Sequence, residues 1–362
     1  MKIQIKSLRA VNIGPLKDVT LDFTDPSGQP RQNTLIGGAN GNGKTTVLEL
    51  IFGLLELLDP TLSFTKATIL SLIRDTSNQY AHIALTIDEV PFTIYYGEAP
   101  DDVEITGEYV GARRIEGLWL SDTPHGSPNM AELLHLNWNF FSNIQYQLGT
   151  QSGAKLSFCG DLSMTALNMS PAPSILFFPH SRVIKPTQGT SLSTEDTLYQ
   201  WAYRFETVNT FNESLNGYLV WLEYSDVEEY HRVITFLSKH FDDKKFGIHR
   251  KTLSATVTAR NGQTHKLDGL SSGEQNLLIL LLELRRRLLP NSIVLIDEIE
   301  NSLHPAFQYK IGEALKEMQR EIPFQLIVTS HAPAILKVFG SENTLLLPNP
   351  QYYDTANQAA AA

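Results

Sequence analysis

Residues 38–46 read GANGNGKTT, and this stretch decides the fold. The first eight residues match the pattern G-x-x-x-x-G-K-[ST], whose backbone N–H groups surround phosphate oxygens at the N-terminus of a helix. Apolar residues before Gly38 predict a strand, and the apolar run after Thr46 predicts a helix. A strand, a glycine loop and a helix in this order predict an α/β fold that binds a nucleoside triphosphate.

The loop predicts a role for each of its polar residues. Lys44 would reach the β- and γ-phosphates of ATP, and the Thr45 hydroxyl would bind Mg²⁺. ATP and Mg²⁺ are therefore the expected ligands. The residues expected to contact the nucleotide here are Asn40, Gly41, Asn42, Gly43, Lys44, Thr45 and Thr46.

A second motif, SIVLIDEIENSLHP at residues 292–305, places two carboxylates after an apolar run. The run from Ile293 to Ile296 predicts a fully buried strand that ends at Asp297 and Glu298. We expect Asp297 to hold Mg²⁺ and Glu298 to polarise the attacking water. Without the phosphate loop, a buried strand followed by ordinary solvated acids would be the preferred interpretation.

The third motif, LSSGEQ at residues 270–275, precedes a long apolar helical pattern. Ser271 and Glu274 have the spacing of a capping box, and the arginines at 285–287 suit the negative end of a helix. A capping box alone would explain the serine and the glutamate, because many helices begin this way.

The exact string LSSGEQ resembles the signature motif of the ABC ATPase superfamily, L-S-G-G-Q or L-S-x-G-E-Q, although Ser272 departs from the commoner glycine. NSLH at 301–304 resembles the D-loop, and LIVTSHAP at 326–333 ends its apolar run as the switch-histidine segment does, with His331. The resemblance implies a P-loop NTPase of the ABC head type, with a mixed sheet core, an antiparallel β layer and an inserted, largely helical lobe. It also implies a catalytic role for His331, beside that of Glu298, as a sensor of the γ-phosphate.

The same resemblance implies that two subunits share each ATP site. In this superfamily the signature serine and the start of its helix bind the γ-phosphate held by the other subunit, which assigns that contact to Ser271, Gly273 and Gln275. The expected assembly is a dimer or a higher even-numbered oligomer, which ATP would close and hydrolysis would release.

Within the superfamily the opening IQIKSLRAVNIGPLKDVTLDF and the IDEIENSLHP string resemble the SMC/Rad50-like branch, closest to compact ATPases of the OLD, Septu and PARIS type in bacterial antiphage defence. Enzymes of the OLD type carry a Toprim nuclease after the switch histidine. The short stretch after His331 leads us to expect that this nuclease is missing. The terminal alanines are typical of a disordered tail or a cloning scar.

The expected domain boundaries follow the motifs. The N-terminal part of the head is expected at 1–97, an inserted β and helical lobe at 98–264, the C-terminal part of the head at 265–349 and a tail at 350–362. Within the lobe, residues 130–148 predict a helix. Helical spacing across 193–246 includes Trp201, Phe205, Phe211, Leu215 and Leu219.

Composition narrows the classes of function. The formal net charge of −10 argues against a surface built throughout for nucleic acid. The basic runs at 244–251 and 285–287 are expected to be solvated faces. The single cysteine, Cys159, excludes an internal disulfide framework, and no apolar run reaches the ~18 residues of a membrane span, so a soluble, cytoplasmic protein is expected.

Several single residues carry weaker predictions. Gln188, with Arg182 nearby, is a candidate for the Q-loop glutamine, and a surface glutamine is the equal alternative. Arg9 and Asn12 are candidates for contacts near the adenine. His304 shows no spacing of a metal ligand, and zinc is not expected.

Two functions remain open at this point. One is a homo-oligomeric ATPase that senses and controls a separate effector, a nuclease or a toxin, in antiphage defence. The other is a DNA-binding repair ATPase of the RecF or Rad50 type, which would require long coiled-coil arms or a basic groove. The acidic balance of the chain and the lack of a heptad pattern favour the first.

Overall fold

The computed structural model describes residues 2–56, 67–75, 78–87, 90–97, 100, 173–187, 200–208, 210–241 and 243–348. The strands of these residues are β1 Ile3–Ile13, β2 Leu16–Asp22, β3 Asn33–Gly37, β4 Tyr80–Ile87, β5 Val90–Gly97, β6 Ile175–Phe178, β7 Ala202–Arg204, β8 Lys244–His249, β9 Ser254–Ala259, β10 Thr264–Lys266, β11 Ser292–Ile296, β12 Phe324–Thr329 and β13 Thr344–Leu346. The helices are α1 Lys44–Glu56, α2 Ile69–Leu72, α3 Leu215–Ser225, α4 Val227–His240, α5 Ser272–Arg287, α6 Pro305–Glu321 and α7 Pro333–Phe339.

The central layer is a six-stranded parallel sheet in the order β13-β3-β12-β11-β6-β7. An antiparallel sheet, β2-β1-β4-β5, forms a second layer, and β10-β9-β8 form a small third sheet. The helix α1 follows β3 through the glycine loop. The predicted fold class, an α/β P-loop fold with an antiparallel layer, is confirmed.

The central sheet is buried on both faces, as a parallel sheet between two layers must be. In β11 the side chains of Ile293 and Leu295 join the core formed with α1 and the antiparallel sheet. Val294 and Ile296 point the other way, into the core formed with α3 to α7. This alternation explains the uninterrupted apolar run in the sequence, because neither face of the strand meets water.

The predicted helical spacing across 193–246 is only partly correct. Leu215 and Leu219 lie in α3, but Trp201, Phe205 and Phe211 lie outside the helices. Residues Ala202–Arg204 instead form β7, which extends the sheet beside β6. The aromatic residues therefore bury themselves around a strand, and the indole N–H of Trp201 donates to the carbonyl of Leu55 at 2.9 Å.

The central sheet includes two strands from the range assigned to the inserted lobe. β6 pairs with β11, and β7 pairs with β6, although both fall between residues 98 and 264. The helix expected at 130–148 lies outside the described residues. The division of the chain at 98 and 264 therefore stays a prediction, and β6 and β7 belong to the central sheet. No helix in the described ranges is both long and apolar enough to cross a bilayer.

Candidate nucleotide site

The C-terminal ends of neighbouring parallel strands meet at one edge of the central sheet, which is where open α/β sheets bind ligands. The phosphate loop follows β3, His331 follows β12, and Asp297 with Glu298 follows β11. The segment after β6 lies beside Asp297. Four stretches that are far apart in sequence thus converge on one site.

Glycines shape the phosphate loop. Gly41 and Gly43 have φ of 82° and 90°, in the left-handed region that favours glycine. A Cβ on Gly43 would also lie 2.7 Å from the Leu16 side chain and 2.8 Å from Pro15. The turn between β1 and β2 therefore presses against the loop, and no larger residue fits at position 43.

Lys44 folds back over its own loop. Its ammonium group donates to the carbonyl oxygens of Gly38 and Ala39 at 2.8 and 2.9 Å. The side chain is only 6% exposed, so the charge is held at the mouth of the loop. A phosphate arriving there would find an ammonium group and the N-terminus of α1, which both favour negative charge.

Thr45 and Asp297 approach each other across the site. The Thr45 hydroxyl donates to Oδ2 of Asp297 at 2.9 Å, although 252 positions separate the two residues. A hydroxyl and a carboxylate oxygen are ligands that Mg²⁺ prefers, so this pair fits the predicted metal position. Asp297 itself is fully buried.

Thr329 fixes both carboxylate residues, and the sequence motifs did not indicate it. Its hydroxyl donates to Oδ1 of Asp297 at 2.7 Å and accepts the backbone N–H of Glu298 at 2.8 Å. Thr329 lies at the end of β12, directly beside β11. Only the pairing of these two strands reveals this role, because the residues are 32 positions apart.

Glu298 has an unusual backbone conformation. Its φ is 44°, in the left-handed region that non-glycine residues rarely adopt. Its N–H is held by Thr329 and its carbonyl oxygen by the Arg182 guanidinium at 3.0 Å. Strained residues of this kind cluster at functional sites when the surroundings hold them, which agrees with the role predicted for Glu298.

His331 is paired with a carboxylate that sequence reasoning missed. Oε1 of Glu300 accepts the His331 backbone N–H at 2.7 Å and lies 2.8 Å from Nδ1 of the ring. Glu300 is buried, whereas the His331 side chain is 56% exposed. With Nδ1 committed to Glu300, the Nε2 atom is the one left for a ligand.

His180 is a further residue that the motifs did not identify. It follows β6, and its Nδ1 lies 3.6 Å from Oδ2 of Asp297. Its side chain is 58% exposed at the same edge of the sheet. Gln188, the candidate for a Q-loop glutamine, lies outside the described residues. Arg182 is described and is buried beneath the edge rather than exposed on it.

The signature segment begins α5 as predicted. Ser271 is the N-cap, and the capping box is complete: Ser271 N and Oγ donate to Oε2 of Glu274 at 3.0 and 2.9 Å, and the Glu274 N–H donates back to the hydroxyl. Lys244 pairs with Glu274 at 3.0 Å. The ammonium group balances the carboxylate that lies beside the exposed serine.

Gly273 and Gln275 fix the start of α5 against its neighbours. A Cβ on Gly273 would lie 2.4 Å from the backbone oxygen of Ser302, so the helix packs directly on the D-loop. The Gln275 amide donates to the carbonyls of Asp268 and Leu270 and accepts the N–H of Ile184. In the described chain Ser271 bonds to Glu274 and not to the phosphate loop.

The remaining candidates have structural partners. Arg9 forms an ion pair with Asp18 at 2.9 Å, and the Asn12 amide donates to the Asn78 carbonyl. The contact with adenine predicted for both residues stays a prediction. His304 caps α6, because its Nδ1 accepts the Ala306 N–H at 3.3 Å.

The expectation that both basic runs are solvated faces is wrong for Arg286 and for Lys244, the first residue of the other run, although Lys245, Arg250 and Lys251 are exposed as expected. Arg286 is 5% exposed, pairs with Glu283 and lies over the ring of Tyr218. Lys244, in the other run, is 10% exposed and is paired as described above. These two cations therefore form ion pairs within the folded chain.

Two models of AAA domains match the chain. One, described as "AAA domain, putative AbiEii toxin, Type IV TA system", matches residues 197–337. The other, described as "AAA domain", matches residues 2–106. The two ranges together contain the phosphate loop, the signature segment, both carboxylates after β11 and His331.

Curated relatives carry related names. The Retron Ec83 probable ATPase of Escherichia coli is 40% identical over 117 residues, which cover 29% of this chain and 21% of that protein. The Retron Vc95 probable ATPase of Vibrio cholerae serotype O1 biovar El Tor is 34% identical over 104 residues, which cover 26% of this chain and 20% of that protein. The chain spans about a fifth of the length of these curated relatives.

Among solved structures, the chain is similar to the SMC head domain from Thermotoga maritima. The match covers 92% of this chain and 92% of that domain, with 14% sequence identity and a TM-score of 0.41. Because this score is low, the fold assignment rests on the strand order and the loop geometry described above. The predicted resemblance to ATPase domains is confirmed by the two AAA models and by the names of the curated relatives.

Proposed function

We propose that the chain binds ATP with Mg²⁺ and hydrolyses it at sites shared between two copies. The observation that carries this proposal is the convergence of the phosphate loop, the Thr45–Asp297 pair, Glu298 and His331 at one edge of the parallel sheet.

Each residue at this edge has a proposed task. The loop N–H groups and Lys44 hold the phosphates, and Thr45 and Asp297 hold Mg²⁺, which when bound neutralises charge on the phosphate oxygens. Glu298 accepts a proton from the attacking water. His331, held through Nδ1 by Glu300, presents Nε2 to the γ-phosphate.

The shared site is proposed because Ser271 and the phosphate loop do not meet within one chain. Ser271 is exposed at the N-terminus of α5, a position that favours an anion, and Asn40, Gly41 and Thr45 of the loop are exposed as well. A second copy would bring its Ser271, Gly273 and Gln275 to the open side of the γ-phosphate. ATP would thereby hold two subunits together.

Complementation tests this arrangement directly. Lys44→Ala protein lacks phosphate binding, and Ser271→Arg protein cannot close on a partner's nucleotide, so each alone should be inactive. A mixture can form pairs with one intact shared site, made from the loop of the Ser271→Arg copy and the signature of the Lys44→Ala copy. Recovered hydrolysis in the mixture supports the shared site, and an inactive mixture of paired subunits overturns it.

The ATPase chemistry needs its own control. Lys251→Ala changes an exposed lysine in a turn and should hydrolyse ATP like the unaltered protein. Glu298→Gln should bind ATP but not hydrolyse it. Turnover by Lys44→Ala or by Glu298→Gln at the level of Lys251→Ala would contradict the proposed roles.

We further propose that this switch controls a separate effector, a nuclease or toxin, in bacterial antiphage defence. The support is the resemblance to compact defence ATPases and the similarity to proteins named as retron ATPases. A DNA repair ATPase is the alternative, and the internal pairing of Arg286 and Lys244 weakens it because these two cations are engaged with Glu283 and Glu274.

Native mass spectrometry distinguishes control of an effector from DNA repair. Tagged Glu298→Gln protein, isolated from its host in ATP and Mg²⁺, should be trapped in the closed state. An even-numbered oligomer that carries a second protein would support control of an effector. A dimer that carries only DNA would favour repair.

A further inference from the structure

The buried guanidinium of Arg182 lies beneath the catalytic edge. Arg182 is 4% exposed and follows β6 by four residues. Its Nη1 donates to the carbonyl oxygens of Phe178 at 3.2 Å, Pro179 at 2.7 Å and Asp297 at 2.8 Å. Its Nη2 donates to the carbonyl of Glu298 at 3.0 Å. One side chain thus holds the backbone of both carboxylate residues.

The charge of Arg182 is kept despite its burial. Burial lowers the pKa of the guanidinium to about 10, while the nearby charges of Asp297, Glu298 and Glu300 raise it. The group therefore remains protonated at neutral pH. A buried cation of this kind is costly unless it is well hydrogen-bonded, and each of its three nitrogens donates here, to four carbonyls and one amide oxygen in all.

The amide oxygen belongs to the signature helix. Nε of Arg182 donates to Oδ1 of Asn276, which is 2% exposed in the second turn of α5. The Asn276 amide nitrogen in turn donates to the carbonyl of Asn301 in the D-loop. Arg182 therefore joins the helix that begins at Ser271 to the strand end that carries Glu298.

Adjacent contacts make this connection stiff. Gln275 accepts the N–H of Ile184, which lies two residues beyond Arg182. Gly273 packs on the oxygen of Ser302. The first two turns of α5 are thus held by the segment after β6 and by the D-loop, and Arg182 contacts the helix and both strand ends.

We propose that Arg182 is a positioning residue that couples the catalytic edge of a subunit to the signature helix of the same subunit. Nucleotide bound at Asp297 and Glu298 in one site would then set the position of the Ser271 that this subunit presents to the second site. This inference rests on the proposed shared site. A residue with only a structural role would stabilise the fold, but it would not transmit the effect of bound nucleotide to the position of Ser271.

Hydrogen–deuterium exchange measures this coupling in Ser271→Arg protein, whose signature cannot close on a partner's nucleotide, with and without the additional change Arg182→Lys. Lysine keeps the charge but cannot reach the helix and both strand ends with one planar group. Addition of a non-hydrolysable ATP analogue with Mg²⁺ should slow exchange at residues 271–280 in the Ser271→Arg protein, because the nucleotide of the same subunit acts on the helix through Arg182. In Arg182→Lys it should slow exchange in the phosphate loop but not in these residues.

Two further variants distinguish a loss of coupling from a general folding defect. Arg286→Lys changes a buried arginine at the far end of α5 and should keep the response of residues 271–280. Asn276→Ala removes the hydrogen bond between Arg182 and the helix but leaves the bonds from Arg182 to the carbonyl oxygens in place. In this variant the analogue should no longer slow exchange at residues 271–280. A response retained in both Arg182→Lys and Asn276→Ala would overturn the proposal.

The mixed pair of Lys44→Ala and Ser271→Arg copies tests the mechanical part of the proposal: whether Arg182 positions Ser271 in the copy that supplies the signature, whose own edge binds no nucleotide. Its one intact site takes the carboxylates from one copy and the signature from the other. Arg182→Lys should lower turnover by about tenfold whichever copy carries it, as expected when a buried hydrogen bond to a charge is lost. An effect confined to the copy that supplies the carboxylates would overturn the coupling.

The same experiment separates the inference from the function on which it rests. If the mixed pair is inactive before Arg182 is changed, the shared site is wrong and the coupling falls with it. If the pair is active and only one copy responds to Arg182→Lys, the shared site stands and only the coupling is wrong.

Discussion

Glu300 holds His331 by two contacts on one oxygen: the backbone N–H donates at 2.7 Å, and Nδ1 lies at 2.8 Å. The other carboxylate oxygen, Oε2, is buried without a hydrogen-bond partner. A buried carboxylate with one free oxygen is costly, so the orientation of the histidine is maintained at the expense of stability.

We expect Glu300→Gln to lower ATP turnover while ATP affinity changes little. The amide lacks the charge that holds Nδ1, and losing a hydrogen bond to a charged group costs roughly 1.5–3 kcal/mol, so turnover should fall by roughly 10- to 100-fold. Steady-state turnover and nucleotide affinity would both be measured. Glu313→Gln, at an exposed glutamate paired with Lys316, is the matched control. Equal turnover in the two variants would contradict the orienting role.

Thr329→Val tests the hydroxyl that joins Asp297 to Glu298. Valine has a similar shape but leaves the Glu298 N–H and one Asp297 oxygen without their partner. We expect the free energy of unfolding to fall by roughly 1.5–3 kcal/mol, the range for buried hydrogen bonds to charged groups. Urea unfolding measures it.

The control for that substitution is Thr258→Val, which removes a surface hydroxyl bonded to Thr264 and should change the free energy of unfolding by no more than about 0.5 kcal/mol. The Thr329→Val protein should also bind ATP less tightly in Mg²⁺ than the control does. Unchanged stability in Thr329→Val would show that the hydroxyl is dispensable.

Gly273→Ala tests the contact between the signature helix and the D-loop. The added methyl would lie 2.4 Å from the Ser302 oxygen, so the helix or the loop must move. We expect a loss of about 1–3 kcal/mol in the free energy of unfolding, as for other overpacked sites, together with reduced turnover.

Gly247→Ala provides the comparison for Gly273→Ala, because a Cβ there meets only the Thr256 hydroxyl at 3.9 Å. Both proteins would be followed by thermal unfolding and by ATP hydrolysis. If Gly273→Ala matched Gly247→Ala in both measurements, the close packing at Ser302 would have no consequence.

His82 predicts a pH dependence of stability. Burial, and then the charge of Arg9, lower its pKa in the folded chain below the ordinary 6.5. Between the folded and unfolded pKa values the unfolded chain binds more protons, so stability rises with pH across that interval and is lost as the pH falls through it. The free energy of unfolding, measured from about pH 7 downward past the unfolded value of 6.5, should fall less in His82→Gln than in the unaltered protein. Parallel curves would contradict the assignment.

The local parts of this architecture could be predicted from sequence. The glycine loop, the apolar run of β11 and the capping box at Ser271 each depend on neighbouring residues, and their spacing specifies the backbone conformation. The alternation from Lys2 to Asp22, interrupted at Gly14 and Pro15, is likewise a local pattern, typical of the strand pair that β1 and β2 form.

The missed residues depend on contacts between distant segments. Thr329 and Glu300 lie inside the quoted strings LIVTSHAP and IDEIENSLHP, but the strings assign them no role, and their roles appear only when β12 lies beside β11. Arg182 was noticed only as a neighbour of a glutamine, although its five hydrogen bonds join residues from 178 to 298. The predicted helical spacing across 193–246 includes β7 because a strand of three residues is too short to show the alternation of side chains that indicates a strand.

The order of the central sheet also governs how the chain acquires its site during synthesis. β3 carries the phosphate loop, yet both of its neighbours, β12 and β13, come from residues 324–346. A nascent chain therefore emerges from the ribosome with this strand unpaired until nearly all the described residues have been translated. Long-range parallel pairing is slow and leaves apolar strands exposed meanwhile, so we expect the growing chain to depend on chaperones and to bind nucleotide only after residues 324–346 have been translated.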